Sequence, residues 1–151
     1  MYGGKLKEYK TAIEWYEKAS QACPEYSSCY NNIGVNHELM KNYEEAIKWY
    51  FRGIEKDKDY KAPHANLIDV YKVLKYDDER IANLLKEYKV YPDFYYYYTG
   101  LAHYDNKSYD LSIKNYMKAY ECADIINKKI FALHNSTGIT YDDKRENKLA
   151  L

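Results

Sequence analysis

The residues of this chain that could do chemistry recur in step along it and do not gather at one place. His37 and His103 hold one recurring slot, and His64 and His134 hold another. A metal centre needs ligands that converge on one point. Histidines that return with a repeat read instead as stand-ins for aromatic packing residues. Gly3-Gly4-Lys5 lacks both the GxxxxGK[ST] spacing and the preceding strand of a phosphate loop. Asp77-Asp78 and Asp142-Asp143 read as turn or cap carboxylates. No Cys–His or Ser–His–Asp set can be assembled by spacing, so no catalytic residue, metal ligand or cofactor is expected.

The remaining chemistry is that of amides and phenols. Asn32 and Asn66 are 34 residues apart, and Asn31 and Asn135 form a second pair. An amide side chain carries a donor and an acceptor, so a row of them can satisfy the backbone of an extended peptide whatever its sequence. Tyr95 to Tyr98 are four consecutive tyrosines in a chain with 21 Tyr, 3 Phe and 2 Trp. A tyrosine offers a packing face with a polar tip.

The elements that must position these groups follow from a phrase said three times: KEYKTAIEWYEKA from Lys7, KNYEEAIKWYFRG from Lys41 and KSYDLSIKNYMKA from Lys107. A worn copy, KYDDERIANLLKE, begins at Lys75. Tyr9 to Tyr43, Ala12 to Ala46 and Tyr16 to Tyr50 are each 34 residues apart. Such a period marks a unit that cannot bury its apolar face alone and stacks on copies of itself. Each phrase has helical periodicity. Tyr43, Ala46, Ile47, Tyr50 and Ile54 share one face, while Glu44, Glu45, Lys48 and Arg52 point away. Between phrases lies a second helical segment, CYNNIGVNHELM in one unit and YYYYTGLAHY in another. Asn42, Ser108 and Asp77-Asp78 punctuate the turns within pairs, and Pro24 and Pro92 mark the ends of second helices.

Composition narrows the function. The chain has 151 residues, and 23 basic side chains balance 23 acidic ones. Zero formal charge argues against broad attraction to nucleic acid or an anionic membrane. No apolar run approaches the roughly 20 residues of a membrane span, and the start lacks a signal-peptide core. Cys23, Cys29 and Cys122 are odd in number and have no CxxC spacing, which suits reduced thiols and a cytoplasmic setting.

Tyr30-x2-Ile33-Gly34-x2-His37, followed by Ala46-x3-Tyr50 and Gly53, resembles the tetratricopeptide repeat. The unit holding Gly100, Tyr109, Ser112, Tyr116 and Ala119 matches as well. The unit between them keeps Leu67, Tyr71, Leu84 and Pro92 but has Ile68 in the small-residue slot and Arg80 where Ala is expected, which predicts a looser helix pair. Gly138, in LHNSTGITY, echoes Gly34, with Lys148 expected to begin the next helix. The resemblance implies an all-α, right-handed solenoid of antiparallel helix pairs. It comprises a partial repeat over 1–26, full repeats over 27–60, 61–92 and 93–126, and a partial repeat over 127–151. Gly34, Gly100 and Gly138 are expected to let the neighbouring helix approach closely, against Ala12, Ala46 and Ala119 and the tyrosines at 16, 50 and 116. Both ends of the array are open half-repeats, so a fragment of a longer array, or ends covered by self-association, is expected.

In stacked pairs the first helices line a concave wall. Spacing puts Ser28, Asn31, Asn32 and Val35 there, then Ala65, Asn66 and Asp69, then Phe94, Tyr97, Tyr98 and Leu101, then Asn135, Ser136 and Ile139. In tetratricopeptide proteins that bind extended segments, Asn at this slot commonly holds the peptide backbone. Against that stands a plainer reading, in which Asn is simply frequent in this chain and the wall is wet. Tyr97 and Tyr98 have the same two readings, as groove anchors beside Leu101 or as packing against the adjacent unit, with Tyr96 internal. The chaperone-tail clamp needs Lys and Arg where this chain has Asn31, Val35, Ala62, Phe94 and Tyr98, so that binding mode is not expected. The resemblance implies a non-catalytic scaffold for a protein or peptide partner, with no nucleic acid and no membrane. The alternatives are the interaction arm of a larger enzyme or peptide-sensing regulator, and a self-association module joined through its end helices.

Overall fold

The computed structural model describes residues 2–123 and 130–149, with backbone alone at Tyr2, 130–135, Asn147 and Leu149. Among the described residues there are eight helices and no strand: α1 (Tyr2–Ala22), α2 (Ser27–Leu39), α3 (Tyr43–Lys56), α4 (Lys61–Leu74), α5 (Asp78–Glu87), α6 (Pro92–Asp105), α7 (Tyr109–Cys122) and α8 (Ile130–Leu149). The chain divides into two compact units, Met1–Leu84 and Leu85–Leu151. The division falls inside α5, in the repeat where Ile68 and Arg80 depart from the pattern.

In the first unit α1 packs on α2, α2 on α3 and α3 on α4, and α2 also reaches α4. The helical periodicity of α3 explains its place. Ala46, Ile47, Tyr50 and Ile54 are buried as their spacing requires, and Glu44, Glu45, Lys48 and Arg52 are exposed. Phe51 and Gly53 are buried too, outside the expected stripe. The reason is that α3 lies against both α2 and α4 and needs two apolar faces.

In each unit a glycine lies directly against a tyrosine ring. A Cβ built on Gly34 would lie 2.5 Å from Tyr50 Cε1, and one on Gly100 would lie 2.6 Å from Tyr116 Cδ1. Carbon atoms pack comfortably at about 3.5–4.0 Å, so only glycine allows these crossings. Gly138 departs from the expectation. A Cβ there would meet nothing within 4 Å, because no second helix among the described residues lies over that face.

Four helices end in the same way, with a lysine in the left-handed region. Lys41, Lys75, Lys89 and Lys107 have φ of 62°, 54°, 53° and 58°. The next residue's N–H reaches back five positions, Asn42 to the His37 carbonyl at 2.8 Å and Ser108 to that of His103 at 2.8 Å. This is the Schellman motif, which satisfies the last carbonyls of a helix and turns the chain into its partner. Asp77 caps α5 through its Oδ1, which accepts from the Arg80 N–H at 2.8 Å.

The end helices differ from their expected bounds. α1 begins at Tyr2 and not at Lys7, with Gly3 and Gly4 inside its first turn. α8 runs unbroken to Leu149, so Lys148 continues that helix and does not begin another.

Candidate functional site

In the first unit the wall formed by α2 and α4 is tied together by two of the expected amides. Asn66 Nδ2 donates to Asn31 Oδ1 at 3.0 Å. Asn31 is buried, 5% exposed, and so is part of the wall's structure and no open contact point. Asn31 and Asn66, 35 residues apart, meet in space, while Asn32 and Asn66 hold the same slot one repeat apart. Asn32, Val35, Ala65 and Asn66 are half-buried, and Asp69 is exposed with Lys72 Nζ 3.6 Å away. An exposed pair of this kind contributes little to stability. The accessible polar surface of this wall is therefore Asn32, Asn66 and Asp69 around Val35.

In the second unit the tyrosine run sorts differently from expectation. Tyr95 and Tyr98 are buried, at 3% and 9% exposed, while Tyr96 and Tyr97 are half-buried. A helix advances 100° per residue, so two residues three apart share a face, and Tyr95 and Tyr98 take the inner one. Tyr98 is thus not an open groove residue as it stands, and Tyr96, half-buried, packs on Tyr116 and Ala119. Tyr97 sits edge-on to Tyr98 at 5.3 Å and tilted against Tyr116 at 5.7 Å between ring centroids. Leu101 packs with it on Tyr116 and Ala119. Phe94 is buried, Ser136 half-buried and Ile139 exposed. The Asn135 side chain lies outside the described residues.

The Tetratricopeptide repeat family model matches residues 1–26 and 27–60. Residues 1–60 carry tetratricopeptide repeats. No curated protein matches the chain. Tetratricopeptide repeats are in general non-catalytic protein–protein interaction modules. The second unit repeats the lock of the matched residues, with Gly100 on Tyr116 where the first has Gly34 on Tyr50. Ser112 replaces Ala46 in that lock, and its Oγ donates to the Gly100 carbonyl at 2.8 Å.

Several contacts that shape the tetratricopeptide walls were not legible in spacing. Tyr50 Oη donates to Glu38 Oε2 at 2.6 Å, and Tyr76 Oη to Glu44 Oε1 at 2.6 Å. Burial, and then the Glu38 hydrogen bond, hold the Tyr50 phenol far above its usual range, so it remains a donor. Burial likewise pushes Tyr116 up to about 12. In the second unit Tyr104 donates to Asp143, and Lys144 pairs with Asp110. Three of these four join a phenol or cation to a carboxylate about one repeat away, whereas Tyr50 and Glu38 are 12 residues apart, within one helix pair.

Of the recurring histidines, His64 and His103 are buried packing groups and His37 is half-buried, while the His134 side chain lies outside the described residues. His64 is fully buried, with Nε2 3.1 Å from the Lys58 carbonyl, a contact that requires the Nε2–H tautomer to donate. Burial lowers its pKa from 6.5 to about 4, and it lowers His37 as well. Among the described residues no group of three or more His, Cys, Asp or Glu is arranged to hold a metal ion, and no helix is long and apolar enough to cross a membrane.

Proposed function

We propose that this chain is a non-catalytic scaffold that binds an extended peptide segment of a partner protein along the wall of its first helices. The observation that carries the reading is the pairing of α2 with α4 through Asn31 and Asn66. That bond sets the two helices side by side and leaves Asn32, Asn66, Asp69 and Val35 accessible around it. A half-buried amide beside an apolar side chain suits an extended backbone, because it offers donor and acceptor without selecting for sequence. In the second unit, by itself, Tyr97 and Leu101 form a half-buried apolar face, and aromatic side chains in such positions make strong anchors. The same reading puts the protein in the cytosol, where its exposed Cys23 and Cys122 thiols stay reduced.

The test is a display selection of random peptides against the intact chain, followed by titration of the selected peptides with variants. Asn32→Ala and Val35→Glu should each weaken binding at least tenfold with an unchanged circular dichroism spectrum. Asn66→Ala belongs in a separate arm, since it also removes the bond to Asn31. Failure to select any peptide, or equal affinity for the Asn32 and Val35 variants, would discard the proposal.

A further inference from the structure

The two ends of the described chain are complementary halves of one repeat. α1 is a second helix with its usual partner face uncovered. Ala46 and Tyr50 of α3 are fully buried, whereas Ala12 and Tyr16, the same slots 34 residues earlier, are only half-buried. Ala19, in the slot of Gly53, is exposed. α8 is a first helix in the same condition. Gly138 stands in the slot of Gly34, yet a Cβ there would meet nothing, while one on Gly34 would strike the Tyr50 ring. Tyr141 and Ile139 beside it are more than 40% exposed.

The polar chemistry matches as well. Glu38, four residues after Gly34, accepts the Tyr50 hydroxyl. Asp142, four residues after Gly138, is exposed and stands ready to accept the hydroxyl of Tyr16, the counterpart of Tyr50. The lengths agree too. α1 extends beyond the counterpart of Tyr43 by Tyr2–Glu8, and α8 extends beyond the counterpart of Leu39 by residues 144–149. In an antiparallel pair these extra turns lie at the same end and run alongside each other.

We infer that α8 of one copy seats on α1 of a second copy, with Gly138 against Tyr16 and Asp142 accepting from it, so that copies join head to tail. α8 already packs on α7, and α1 on α2, so the junction continues the alternation of first and second helices found inside each unit. The contact is heterologous, because each copy offers one face and accepts through the other, and such contacts grow into open chains. The extra turns at the junction each carry a small excess of positive charge, Lys5 and Lys7 against Glu8 on one side and Arg145 and Lys148 against Glu146 on the other, with Lys144 paired to Asp110. Added salt should therefore tighten it.

Sedimentation of the intact chain over a range of concentrations tests this. The mass should rise beyond that of a dimer, and more so with added salt. Gly138→Leu should leave the single chain at least as stable as before, since its Cβ meets nothing there, and weaken association at least tenfold. Ala19→Arg, at an exposed position, should do the same from the other face. Mixed together, the two variants should give a one-to-one complex that grows no further, because each retains one good face. A chain that stays monomeric throughout, a dimer that never grows, or association indifferent to Gly138→Leu would each overturn the inference. Asn32→Ala leaves both end faces intact and should not affect assembly, so this result stands apart from that of the peptide-binding test.

Discussion

Replacing Gly34 and Gly138 by alanine should move stability in opposite directions, although both are glycines in the same repeat slot. At Gly34 the new methyl would lie 2.5 Å and 2.6 Å from two Tyr50 ring atoms, about 1 Å short of comfortable carbon contact. Tyr50 is fully buried, so its ring cannot swing away, and α2 and α3 must move apart instead. Overpacking of this kind costs about 1–3 kcal/mol. Alanine recovers about 1 kcal/mol of helix propensity, leaving a net loss of about 1 kcal/mol. At Gly138 the methyl meets nothing, so the propensity gain stands alone at about 1 kcal/mol of stabilisation. Thermal unfolding followed by circular dichroism should separate the two variants by about 4–8 °C, taking about 2–4 °C per kcal/mol for a chain of this size. Tyr50→Leu combined with Gly34→Ala should cost less than the sum of the single changes, because the methyl then fills space the ring has left. Equal melting temperatures for the two alanine variants, or strict additivity in the double variant, would refute the claim that the ring of Tyr50 requires a glycine opposite it.

Other perturbations have defined outcomes. Tyr50→Phe removes the donor to Glu38 and should cost about 1–2 kcal/mol in chemical denaturation; no loss would mean that the bond is worth nothing net. His64 has a pKa of about 4 when folded against 6.5 when free, so the unfolded chain takes up its proton first and stability falls as pH drops from about 6.5 towards 4. The full effect is about 3 kcal/mol, and His64→Phe should flatten the pH dependence above pH 4.5, while an unaltered slope would remove His64 as its source. Lys107→Gly relieves a side chain held at φ 58° and should stabilise the fold by up to about 1 kcal/mol. A lower melting temperature would show that the lysine side chain contributes more than its backbone costs.

How much of this was legible beforehand depends on the kind of interaction. Ala46, Ile47, Tyr50 and Ile54 had to share a face because helical geometry acts on the local order of residue types. Gly34 and Gly100 had to oppose something bulky because their neighbours recurred with the same spacing. The repeat period, the paired helices, the turns at Asn42 and Ser108 and the family itself all follow from such local order. Tertiary contact joined Asn31 to Asn66, since which side chains of neighbouring helices meet is a property of their packing and of no single segment. It turned Tyr95 and Tyr98 inward in a run of four identical residues, where residue type carries no information. It also left Gly138 open, because an identical slot means close packing only when a second helix is there to occupy it.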